Sequence, residues 1–169
     1  KKKYPKIIFL KRKKKLATNK IKAVSVVLDI IKNFRSFQSA TLLLPTCPFR
    51  DYKDIRAAFK IFKKNFLNTV SVTNYEFPPE FALKKNGNFF SPLKKSPLLK
   101  NKTRSQEFNH CLRPNGAIYI FLIKKLLKNK NFYSNKMNVY KMKREKSIDV
   151  DTILDFELAK IIFKKNAKK

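Results

Sequence analysis

Glycine is almost absent from this chain: Gly87 and Gly116 are the only two in 169 residues. A loop that cradles phosphate through successive backbone N–H groups draws on several nearby glycines, and neither of these sits in such a loop. Tryptophan is missing altogether, and the two cysteines, Cys47 and Cys111, have neither metal-ligand spacing nor the density of a disulfide framework. A reducing, cytoplasmic compartment is the expectation. Long apolar runs are lacking too. Ala117 to Ile123 is the longest, is broken by Lys124 and Lys125, and is too short to span a bilayer. The basic opening with its apolar patch from Ile7 to Leu10 has no extended hydrophobic region or small-residue cleavage site of a signal peptide. A chain that starts at Lys1 instead of Met is expected to be a fragment.

Acidic residues are scarce, 11 against 41 Lys and Arg, for a formal net charge of +30. Such an excess is the ordinary footprint of a phosphate-tracking surface, so a nonenzymatic basic protein that binds RNA or another polyanion is the alternative reading. Lys, Asn, Ile and Phe are enriched together, however, as an AT-rich coding sequence produces in any fold. The charge therefore predicts salt-sensitive, nonspecific adhesion and no specific nucleic-acid partner. Hydrophobic content of 43% with 16 Phe is enough for one domain with a core.

Apolar spacing predicts a helix over Ile21 to Phe34, a buried strand over Ala40 to Leu44 stopped by Pro45, a helix over Asp51 to Lys64 and a strand over Val70 to Thr73. Strand, helix, strand in that order is the signature of a parallel α/β unit. From Phe77 to Leu112 prolines punctuate an irregular excursion with hairpin-like pieces. Beyond it a strand is predicted over Ala117 to Leu122, a short helix over Lys124 to Lys128, a strand over Asn138 to Met142 and a helix over Thr152 to Phe163. In that last helix Thr152 caps the start and Leu154, Leu158, Ile161 and Ile162 share a face.

Asp149 and Asp151 stand out against the lysine background. On an extended segment two carboxylates at i and i+2 point to the same face, while Ile148 and Val150 point to the other. The segment can anchor in a core and present two oxygen donors to a hard cation such as Mg2+. The structural reading of the same residues is a strand end leading into a helix cap.

Four ordered segments resemble the acylneuraminate cytidylyltransferases: Leu16-Ala17-Thr18; Leu42 through Arg50, with its Pro-Thr-Cys-Pro-Phe-Arg turn; Arg113-Pro114-Asn115-Gly116-Ala117-Ile118-Tyr119-Ile120; and Arg144 through Thr152 followed by Asp155-Phe156. Val70 to Thr73 and Thr103 to Gln106 also fit. The resemblance implies a three-layer α/β nucleotide-sugar transferase fold with a mixed, Rossmann-like sheet, usually dimeric, that joins CTP to a nine-carbon keto acid such as N-acetylneuraminate and releases pyrophosphate. It implies catalytic and Mg2+-binding roles for Asp149 and Asp151, nucleotide binding by Pro45, Thr46, Cys47 and Arg50, and substrate binding by Arg104, Gln106, Arg113 and Asn115. Arg113 and Arg104 suit the acceptor's carboxylate because a guanidinium grips it through two parallel hydrogen bonds. Residues 1–15 become a basic arm and 16–169 a partial catalytic domain, with 75–112 corresponding to a dimerisation arm.

The chain departs from the family at several places. Nothing in Lys1 to Leu16 resembles the family's first strand and glycine-rich P-A-R-x-G-S-K-G loop, so an incomplete or inactive version is expected. The family's Gln before Pro-Thr is Leu44, its Asp and Ser residues after Leu-Ala-Thr are Asn19, Lys20, Lys22 and Ala23, and its second Ser is Cys47. His110, the single histidine, has no obvious partner acid and reads as a surface residue.

Overall fold

The computed structural model describes residues 7–93, 95–108 and 111–167, without the side chain of residue 167. His110 lies outside the described residues. Among the described residues the α-helices and β-strands are α1 (Ala23–Ile31), β1 (Ser39–Leu42), α2 (Tyr52–Lys63), β2 (Thr69–Asn74), β3 (Leu83–Asn86), β4 (Phe89–Pro92), β5 (Leu112–Leu122), α3 (Ile123–Asn129), β6 (Asn138–Lys141) and α4 (Ile153–Ala167).

A four-stranded mixed sheet runs β1-β5-β2-β6. β5 is antiparallel to both β1 and β2, and β2 is parallel to β6. It follows that β1, β2 and β6 all point the same way. The strand-helix-strand unit is present, but β1 and β2 are not neighbours, because β5 inserts between them. β5 is the central strand for a physical reason: Ile118, Ile120 and Leu122 pack on one side with Ala58 and Phe62 of α2. Tyr119 and Phe121 pack on the other with Val27, Ile31 and Leu126. A strand apolar on both faces has no side to give to water. β1 pairs only with β5 among the described strands and is half-exposed, where a buried strand was expected.

β5 begins five residues earlier than its apolar run, at Leu112, and takes in Pro114 and Gly116. Between Val70 and Val72 the register with β2 jumps from Tyr119 to Pro114, a bulge on β5. Proline lacks the N–H for a regular ladder and is tolerated at such an irregularity. The side chain of Ser71 fills the gap, accepting from Ile118 N at 2.7 Å and donating to Asn115 Oδ1 at 2.6 Å.

The α2 start is a reciprocal capping box. Asp51 Oδ1 accepts from Lys53 N and Asp54 N at 2.8 and 3.0 Å, and Asp54 Oδ2 accepts from Asp51 N at 2.9 Å. The same two carboxylates hold Lys146 Nζ at 2.7 and 2.9 Å, and Tyr140 donates to Asp54 Oδ1 at 2.9 Å. α4 carries the expected Thr152 cap, with Asp155 N donating to Thr152 Oγ1 at 3.2 Å. Its expected buried face is largely not buried: Leu154, Leu158 and Ile161 are exposed, Ile162 is half-buried and Ala159 is buried. No helix among the described residues is long and apolar enough to cross a membrane.

Residues 75–112 hold the antiparallel β3–β4 hairpin and three short 3-10 turns. Phe77, Leu83, Phe89 and Phe90 stand exposed along it.

Candidate functional site

Because β1, β2 and β6 run in the same direction, their carboxyl ends share one edge of the sheet with the amino end of β5. Open α/β sheets bind ligands at such an edge. Three segments meet there: the Pro45–Arg50 turn after β1, the Asn115–Gly116 bulge of β5, and residues 143–152 after β6. Val150 N donates to Thr46 O at 2.9 Å and ties the first to the third. Cys47, fully buried, brings all three together, its Sγ 3.3 Å from Asn115 O and 3.6 Å from Asp149 Oδ1. Burial, then the neighbouring Asp149 charge, pushes the Cys47 thiol up to about 11.

Asn115 is the polar hub beneath the site. Its side chain is 2% exposed; it accepts from Ser71 and from Ala117 N at 3.2 Å, and its amide donates to Ser147 Oγ at 2.9 Å. Ser147 donates onward to Lys143 O at 2.8 Å. The side chain expected to meet substrate is thus committed to joining β2, β5 and the loop that bears the acidic pair. Arg50 is similarly engaged, donating to Leu44 O at 2.5 Å and Cys47 O at 2.7 Å, which staples the turn. Pro45 and Thr46 face a cleft of about 830 Å³ shared with Phe49, Val150, Phe156 and Phe163.

Asp149 is half-buried and Asp151 exposed. They lie on an irregular segment held by the Val150 bond, with no strand partner beyond it. Arg113, half-buried, lines a second cleft of about 600 Å³ with Tyr75, Phe77 and Phe81. Gln106 lines another cleft with Tyr75 and Glu76, and Arg104 is exposed and 3.6 Å from Glu107. Among the described residues none of Arg104, Gln106 and Arg113 makes a hydrogen bond to either aspartate or to the Pro45–Arg50 turn. Two cations that the sequence reading left unassigned take defined places. Arg144 reaches Glu76 at 2.6 Å, joining the acidic loop to the rim of the second cleft, and Lys146 docks that loop on α2. Their signal was the run Lys143 to Lys146 directly before the pair, which a fold-blind reading cannot separate from the general lysine excess.

The Lys146 link makes the loop acid-sensitive. The Lys146 hydrogen bond first, and the Asp54 backbone N–H next, hold the Asp51 carboxyl down to about 2 from an ordinary 3.8. A folded-state value below the unfolded one contributes stability that is present above pH 3.8 and lost as pH falls through about 2. The difference in unfolding midpoint between the unaltered chain and Lys146→Met should therefore shrink steadily on acidification from about pH 5. Parallel denaturation curves across that range check it; a constant difference contradicts the ion-pair assignment.

A mixed α/β fold with a mixed sheet, polar loops and a carboxylate pair gathered at one sheet edge is consistent with a nucleotidyltransferase-like fold. No family model matches the chain. It is 30% identical over 162 residues to the CMP-N,N'-diacetyllegionaminic acid synthase of Legionella pneumophila, covering 92% of this chain and 68% of that protein. Against the N-acylneuraminate cytidylyltransferase of Escherichia coli it is 32% identical over 164 residues, 95% of this chain but 38% of that longer protein. A pseudaminic acid cytidylyltransferase of Campylobacter jejuni is 26% identical over 162 residues, again with 68% of that protein covered. The chain belongs to the acylneuraminate cytidylyltransferase family, a family of enzymes.

Proposed function

We propose that this chain carries the acceptor- and metal-facing part of a cytidylyltransferase that makes a CMP-sugar and pyrophosphate from CTP and a sialic-acid-like nonulosonic acid, on a three-layer nucleotide-sugar transferase fold. The observation that supports it most is the convergence of the Pro45–Arg50 turn, the Asn115–Gly116 bulge and the Asp149–Asp151 segment at one sheet edge. In this reading the acceptor's anomeric hydroxyl forms a bond to the α-phosphorus and the bond to pyrophosphate breaks. The hydroxyl proton passes to a carboxylate, Asp151 being the exposed one. Arg113 binds the acceptor's carboxylate, and Arg144 shapes the same rim through Glu76.

Two carboxylates are a hard-oxygen donor set suited to Mg2+, which keeps several waters and shares its shell with substrate phosphates. Bound by Asp149 and Asp151, the ion would neutralise triphosphate charge. Neither glycine supplies phosphate-binding backbone: Gly87 sits between β3 and β4, and Gly116 lies in the bulge. The chain alone is accordingly expected to turn over little. The exposed Phe77, Phe89 and Phe90 support a homodimer in which a second copy covers the 75–112 excursion.

The test is pyrophosphate release from CTP with N-acetylneuraminate, a legionaminic-type and a pseudaminic-type acid, run on the 169-residue chain and on the same chain with a family-type glycine-rich segment added at its N-terminus. Acceptor-dependent release by the extended chain, lost in Asp149→Asn and in Asp151→Asn, is the expected result. CTP turnover that ignores the acceptor, or survives both substitutions, overturns the reading.

A further inference from the structure

Spacing makes Asp149 and Asp151 look interchangeable, but their surroundings differ. Asp149 has a built environment. The Cys47 thiol lies 3.6 Å from its Oδ1, and a Cβ placed on Gly116 would sit 3.2 Å from its Oδ2 and 3.3 Å from Cys47 Sγ. Carboxylate and thiol together occupy the space that the glycine leaves open. That space is backed by the bulge, whose Asn115 is anchored to Ser71 and Ser147. Among the described residues Asp151 is bonded through its backbone N–H alone, to Asp155 Oδ2 at 3.3 Å, and it is exposed.

We propose that Cys47 and Gly116 form a seat that fixes the Asp149 carboxylate, making Cys47 a positioning residue and leaving Asp151 as the mobile member of the pair. The proposal rests on the reading above of this pair as the metal-facing carboxylates. Fully buried, Cys47 has no surface to offer a nucleotide, so its influence passes through Asp149. A thiol is a weak donor and shares its one proton between Asn115 O and Asp149, so its value lies in orientation more than in binding energy. Residues that orient a metal's ligands typically change metal affinity by tenfold or more when removed, about the size expected here.

Two measurements on the full 169-residue chain test the seat. In a Cys111→Ser background the Raman S–H band reports Cys47 alone; it should move to higher frequency in Asp149→Asn, where an amide replaces the carboxylate acceptor. An unmoved band overturns the contact whatever the metal does. Mn2+ titration, with the metal alone, should show about tenfold weaker binding in Cys47→Ala and recovery to within about twofold in Cys47→Ser, which retains a donor. Equal weakening by Ala and Ser overturns positioning in favour of plain packing. If Mn2+ binding is absent, or is unchanged in Asp149→Asn, the metal reading of the pair fails, while the S–H band still decides the seat.

Discussion

Alanine at Gly116 is expected to lower the thermal midpoint by several degrees and to push Asp149 off its position. Two costs combine. The residue has φ +77°, a left-handed backbone that a side chain disfavours by about 1–2 kcal/mol. The new methyl would also meet Asp149 Oδ2 at 3.2 Å and Cys47 Sγ at 3.3 Å, so both must give way. Gly87 is the internal control, since it has φ +60° but nothing within 4 Å of an added Cβ. Gly87→Ala should show the backbone cost alone. Each kcal/mol is worth about 2–4 °C in a chain of this size, so thermal melts of the two variants resolve the excess. Equal shifts would show that the Asp149 carboxylate is not held against the bulge.

Leucine at Asn115 should have the largest effect of any polar substitution here, about 3 kcal/mol. It removes the acceptor of Ala117 N and the link from Ser71 to Ser147 at a site that water does not reach, and a buried group left unpaired costs about 1–3 kcal/mol. Ser71→Ala should cost less, because Asn115 keeps its bonds to Ser147 and Ala117. The damage should also be directional. Hydrogen exchange at Val150 N–H, whose acceptor is Thr46 O, should speed up in Asn115→Leu as the 143–152 loop loses its anchor. Unchanged protection there would mean that the hub holds the sheet but not the loop.

Helix α2 was legible because Ile55, Ala58, Phe59 and Phe62 recur at helical spacing; the Asp51 capping box came only with the structure. β5 was only half legible. Pro114 and Gly116 read as breakers by local propensity, yet a bulge absorbs both and the strand continues through them. The parallel pairing implied by strand, helix, strand failed for β1 and β2 because order along the chain does not say which later strand will insert between two earlier ones. The α4 helix was legible but its buried face was not: apolar periodicity marked a face, but burial depends on a partner surface, and Leu154, Leu158 and Ile161 stay exposed while Ile162 is half-buried. At the site, the acidic pair could be seen in the sequence. The contact that distinguishes its two members joins residues 102 positions apart, and the sequence reading placed Cys47, a replaced serine, among the nucleotide-binding residues and not beside Asp149.

Asp51 does two jobs at once, closing the first turn of α2 and holding the lysine that precedes the acidic pair. Protonating that one carboxyl is therefore expected to weaken the helix start and, in the same event, to leave Lys146 on Asp54 alone. Helix end and acidic segment are tied through one side chain, so a change at either is expected to be felt at the other.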